Sequence, residues 1–176
     1  MKPQRALDRI DAQFAAIRTL IVEHPEALDL AEAEVSGWSV RLQIDHILKA
    51  LAIGLQTLDG EIRKPQRPIK PLGRVLMALD WLPRGVAKSP ERIVPVATSD
   101  AELVAELDRL AAAYRALDPA DERLASPAPV FPHPYFGGLS ASQGIAFLGT
   151  HTHHHWKIIR DIRRASARRT KASAAG

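Results

Sequence analysis

Apolar residues recur at helical spacing along most of this chain, and that periodicity limits the fold more than any other feature. Leu7, Ile10, Phe14, Ile17 and Ile21 share one helix face between about residues 4 and 23, and His24-Pro25 favours a stop. Ser39 can cap a second helix running to about Leu58, ahead of Gly60 and a proline-rich connection. Ser99 with Glu102, and Ser140 with Gln143, have the spacing of capping boxes, which start further helices over about 100–118 and 141–165. Between residues 60 and 98, Pro65, Pro68, Pro71, Pro83, Pro90 and Pro95 interrupt the chain, leaving LGRVLMALDWL for a short helix inside a long crossover. Residues 119–138 are again rich in proline and contain FPHPYFGG. No segment alternates convincingly as a strand, and no internal repeat is visible. The pattern predicts an all-α four-helix bundle with nontrivial crossovers.

A length of 176 residues suits one domain around one core. The absence of cysteine excludes disulfides, thiolate ligands and cysteine nucleophiles together. A transition-metal site in such a chain must be built from imidazole, carboxylate and water. No stretch approaches the roughly 20 consecutive apolar residues that span a bilayer. MKPQRALDRIDAQF has no signal-peptide hydrophobic region, so the expected compartment is the cytoplasm, with no membrane partner. The formal charge of +4 is concentrated in Arg163, Arg164, Arg168, Arg169 and Lys171; residues 1–162 carry 19 basic against 20 acidic side chains. The expected division is therefore a bundle domain over 1–162 and a frayed or disordered basic tail over 163–176. A solubilising tail is favoured over a nucleic-acid contact.

Four of the seven histidines fall in HTHHH at 151–155. At about 100° per residue, His151 and His155 lie about 40° apart on the helix, among Phe147, Leu148, Ile158, Ile159 and Ile162. Both point into the core. His153 falls on the far side and is expected to face solvent, while His154 sits at the edge of the buried arc. Imidazoles at i and i+4 can hold one metal ion from successive turns. A third ligand is available in His46, which shares a semi-apolar arc of the second helix with Leu42, Ala50, Ile53 and Thr57. The bland alternative is a set of hydrogen-bonded core histidines. Their clustering argues against it, because adjacent neutral imidazoles need several partners for their ring nitrogens.

GWSVRLQIDHI, with Trp38 eight residues before His46, and THTHHHWKII resemble the DinB/YfiT-like superfamily. PRGVAKSPERIVP and HPYFGGLSASQ look like signature segments of one of its bacterial branches, whose function is unknown, and the resemblance runs from about residue 6 to 162. It implies an up-up-down-down four-helix bundle, often homodimeric, with a histidine triad holding zinc, nickel or a similar divalent ion. Carried over by position, the metal ligands are His46, His151 and His155. His154 occupies a place where the branch also tends to have histidine, as a group behind the ligands. Ile158 stands where family members often carry glutamine.

His133 and Tyr135, in HPYFGG, are read either as a packed turn that sets the start of the last helix or as a wall of the metal pocket with a part in substrate contact. Trp38 is read as a packing anchor. Three neutral histidines leave positions on a divalent ion for water or substrate. The expected function is a metal-dependent enzyme, a thiol S-transferase or a hydrolase acting on a small molecule. The alternative is a non-catalytic metal-binding or stress-response interaction module, favoured by the lack of a recognisable general base, since Asp45 points about 100° around the helix from His46.

Overall fold

The computed structural model describes residues 2–60, 62, 69–85, 88–133 and 136–173. Six α-helices occur among them: α1 (Pro3–Glu23), α2 (Val40–Leu58), α3 (Pro71–Ala78), α4 (Asp100–Arg115), α5 (Glu122–Ala125) and α6 (Ala141–Ser173). The helix starts follow the sequence signals. Ser39 Oγ accepts the Leu42 N–H at the head of α2. Ser99 and Glu102 close a reciprocal capping box at α4, and Ser140 and Gln143 do the same at α6, with Ser140 N–H donating to Gln143 Oε1 at 3.0 Å.

α1, α2, α4 and α6 enclose the core, with α1 and α2 on opposite corners and each packed on both α4 and α6. Phe14, Ile17, Ile44, Ile47, Leu107, Leu110 and Ile162 fill the interior. The all-α bundle with a short helix in the crossover is as expected, but the helix directions are not. Asp11 pairs with Arg115 and Arg18 with Asp108, so α1 and α4 are antiparallel. Arg41 meets Asp100 while Leu51 meets Tyr114, so α2 and α4 are parallel. Gln43 meets His155 and His46 meets His151, so α6 opposes α2. The order is thus up-down-down-up rather than up-up-down-down. The residues between α1 and α2 reverse the chain, whereas the long segment between α2 and α4 carries it back to run parallel.

Gly54 permits the close approach of these helices. A Cβ there would lie 2.5 Å from Leu148 Cδ1 and 2.6 Å from the Tyr114 hydroxyl, which donates to the Leu51 carbonyl at 2.9 Å.

The structure departs from the sequence reading in two further places. Residues Pro129–His133 (β1) and Gly137–Ser140 (β2) pair as a small antiparallel hairpin, with Phe131 opposite Leu139 and His133 opposite Gly137. Prolines hide the alternation here, yet Phe131 and Leu139 are both buried in the bundle, and Gly137 takes the left-handed φ of 86°. The basic segment, expected to be disordered beyond residue 162, is helical to Ser173. It is an extension of α6, held by an ion pair from Arg169 to Glu32 at 2.8 Å and by burial of Ser166.

The crossover is tied to the bundle at several points. Asp80, in the left-handed region at φ 49°, accepts from Arg9 Nη1 and Nη2 at 2.8 and 2.9 Å and from Thr150 Oγ1 at 2.6 Å. Further along, Val96 N–H donates to Asp45 Oδ2 at 2.8 Å and Lys49 Nζ to the Val94 carbonyl at 3.0 Å. These contacts lay the 3-10 turn Glu91–Ile93 against α2, where the Ile93 carbonyl reaches His46.

Candidate metal centre

The face of α2 that carries His46 meets the face of α6 that carries His151 and His155. One ring nitrogen from each of these histidines lies within 4.8 Å of the others. His46 Nε2 and His151 Nε2 are 3.2 Å apart, and the three rings sit with centroids 4.5 to 5.0 Å from one another. For comparison, two imidazole nitrogens bound at about 2.0–2.1 Å on a tetrahedral ion are roughly 3.3 Å apart.

Two of the rings have their tautomers set from behind. The Ile93 carbonyl lies 2.7 Å from His46 Nδ1; a carbonyl only accepts, so Nδ1 carries the proton and Nε2 is left with a bare lone pair. His155 Nδ1 lies 2.6 Å from Gln43 Oε1, and the Gln43 amide is held in turn by donating from Nε2 to Ser36 Oγ at 2.9 Å. Ser36 Oγ also accepts the Trp38 N–H at 3.1 Å. His155 therefore also presents a bare Nε2. His151 Nδ1 is buried without a hydrogen-bond partner among the described residues. A proton on His151 Nε2 can satisfy only one of the facing nitrogens; a proton on Nδ1 leaves three lone pairs converging. A cation among them removes that conflict, so the donor set fits a divalent ion held by imidazole.

Electrostatics act in the same direction. Burial and the neighbouring imidazoles push His151 and His155 well below the ordinary histidine range. Burial also lowers His46, against the opposing effect of its bond to Ile93. All three are thus neutral near pH 7, the form in which imidazole binds metal.

Trp38 packs directly on the cluster. Its ring lies 4.9 Å from that of His46 and stacks at 6.5 Å on that of His155, closing one side of the cluster. His154 stands outside the cluster but edge-on to His155, at 5.0 Å, and its ring hydrogen-bonds the Leu82 carbonyl, so it lies beside the triad. His153 also stands outside, although it is half-buried rather than exposed, within electrostatic reach of Lys157, Arg9 and Asp80. His133 stacks on Phe136 at 4.1 Å and meets Phe147 edge-on at 4.5 Å, and its Nδ1 accepts the Phe136 N–H, so it belongs to the wall. Tyr135 lies outside the described residues. Asp45 faces away from the triad, as the helix projection predicts, paired with Lys49 at 2.8 Å.

The three histidines form part of the lining of a cavity of about 1190 Å³. Trp38, Gln43 and Ser36 line one side, and Phe131, Phe136, Phe147 and Leu148 another; Ile158 contributes a further apolar surface. Sequence reasoning missed Gln43, Ser36 and the Ile93 carbonyl. Gln43 was within reach, since it precedes His46 by three residues and so shares its helix face. The Ile93 carbonyl had no such signal, because a backbone acceptor contributed by a crossover leaves no mark in side-chain pattern.

Fold and site together define a helical-bundle protein with a three-histidine cluster able to hold a metal ion. The chain belongs to the DinB superfamily, whose family profile matches residues 9–159. No curated protein and no solved structure matches it. No helix among the described residues is long and apolar enough to cross a membrane.

Proposed function

We propose that this protein is a metal-dependent enzyme that binds one divalent ion, zinc or nickel, through His46, His151 and His155 and acts on a small molecule in the adjoining cavity. The observation that carries this reading is the convergence of three neutral imidazoles, two with preset tautomers, on a cavity large enough for a substrate. A divalent ion with three neutral ligands keeps positions for water or a substrate thiol and lowers the pKa of either, which suits hydrolysis or thiol S-transfer. The chain's own part is to hold the ligands neutral and aimed, through Ile93 and Gln43, and to wall the reacting space with Trp38, Phe136 and Phe147.

A second reading, a non-catalytic metal-binding or stress-response module, is favoured by one observation. Among the described residues no carboxylate lines the cavity, so a general base would have to come from His154, His133 or bound hydroxide. The test is elemental analysis of purified protein beside His46→Ala and His151→Ala, followed by assays of thiol conjugation and ester or amide hydrolysis. Stoichiometric metal lost in both variants supports the site, and unchanged metal content overturns it. A loaded protein that accelerates neither reaction class favours the module.

A further inference from the structure

The cavity beside the triad has a charge pattern that the metal reading does not use. Four cationic residues, Lys70, Arg84, Lys88 and Arg92, contribute to its lining, and no aspartate or glutamate does so among the described residues. This imbalance is not a property of the whole surface, because the body of the chain is close to neutral. Elsewhere several exposed arginines are held in ion pairs, as in Arg18–Asp108, Arg109–Glu106 and Arg115–Asp11, while Arg5, Arg74, Arg160 and Arg168 are scattered along the chain without one among the described residues. Of the four cavity cations, Arg84 is paired, with Asp161 at 2.8 Å, and it still lies near enough to His154 to oppose that ring's protonation. Lys70, Lys88 and Arg92 have no ion-pair partner among the described residues. Behind this rim the walls are apolar, with the rings of Phe136 and Phe147 set edge to face at 5.6 Å.

Unpaired cations at the mouth of an apolar cavity lower the energy of one kind of ligand above others. A cation is repelled by the rim, and a neutral molecule gains only from apolar burial. An amphiphile with an apolar body and an anionic head gains from both. A divalent ion held by the three uncharged imidazoles, which line the same cavity, would add charge of the same sign.

We infer that the cavity takes a small anionic amphiphile, an apolar chain or ring system bearing one carboxylate or phosphate, with its body against Phe136 and Phe147 and its anion at the unpaired Lys88 and Arg92. This deepens the enzyme reading by naming its substrate class and rests on that reading for the role of the cavity.

The probes are decanoate, decyl phosphate, the neutral decanamide and the cationic decylamine, titrated calorimetrically into full-length protein stripped of metal by chelator. Metal content does not enter this measurement, so its failure and the failure of the metal site are separable. The expected result is that the anions bind about tenfold or more tighter than decanamide, decylamine binds weakest, and the preference shrinks as salt rises. Lys88→Gln/Arg92→Gln, two exposed positions, is expected to bring that ratio to about twofold or less while leaving decanamide affinity unchanged. The order of the two anions tells a phosphate site from a carboxylate site. Equal affinity for decanoate, decyl phosphate and decanamide, or an anion preference untouched by the double substitution, overturns the proposal.

Discussion

Replacing Gln43 by leucine removes the acceptor of His155 Nδ1–H while leaving all three triad nitrogens in the chain. In the present arrangement Gln43 Oε1 stands 2.6 Å from His155 Nδ1, inside a buried contact, and Ser36 Oγ holds the amide in place. Leucine is similar in size but offers no lone pair. The His155 ring is then free to turn about its side-chain bonds, and the tautomer with a proton on Nε2, which cannot bind metal, is no longer disfavoured. Loss of such an outer hydrogen bond typically costs 10–100-fold in metal affinity, or about 1.4–2.7 kcal/mol. Gln43→Glu keeps an acceptor, now charged, at the same reach, so it is expected to hold affinity at or above that of the parent. The assay is competition with a chromophoric chelator at pH 7.5, with zinc and nickel in turn, beside thermal unfolding of each metal-free variant. If Gln43→Leu binds the ion as tightly as the parent, His155 is not oriented through Gln43, and the account of a preset triad fails.

The remaining predictions concern stability and pH. His133 is pushed down to about 4 by burial, below an unfolded value near 6.5, so the unfolded chain binds the proton first as pH falls. Its contribution is complete above pH 6.5 and is lost between about 6.5 and 4, by roughly 3 kcal/mol, with the triad acting in the same direction; denaturant titrations of metal-free protein across this range check it. A midpoint that does not fall with acid would contradict the burial. Gly54→Ala forces a methyl into Leu148 and the Tyr114 hydroxyl and is expected to destabilise by about 1–3 kcal/mol, read from the urea midpoint. Ser99→Ala dismantles the capping box of α4, in which Glu102 also accepts from Ser99 N–H at 2.8 Å, and should cost about 0.5–2 kcal/mol with metal affinity unchanged.

How far the sequence discloses this molecule follows from what each feature depends on. Helix starts are local events, so Ser39, Ser99 and Ser140 mark the beginnings of α2, α4 and α6 at the residue. The inward faces of His46, His151 and His155 are likewise legible, because helical periodicity alone sets which side chains share an arc. Helix direction is not legible in the same way. It depends on how the residues between α1 and α2 and between α2 and α4 carry the chain, and proline-rich connections have no period to read. The hairpin was hidden for a related reason: its pairing of Phe131 with Leu139 is decided by burial against α6, where Gly144 leaves room for the Phe131 ring, rather than by alternation along the strand. The last turns of α6 belong with these cases, since Arg169 finds Glu32 only once the bundle has formed.

The crossover has a consequence for how such a site can change over generations. The Ile93 carbonyl grips His46 from a segment that is not part of the helical frame, and the same segment contributes Arg84, Lys88 and Arg92 to the cavity. Side chains there are mostly exposed, so replacing them leaves Phe14, Ile44, Leu107 and the other packed residues untouched. The backbone carbonyl that grips His46 persists through almost any side-chain replacement. A lineage could therefore exchange the ligand preference of the cavity freely while inheriting the geometry of the histidine triad unaltered, which separates the part of the molecule that can drift from the part that cannot.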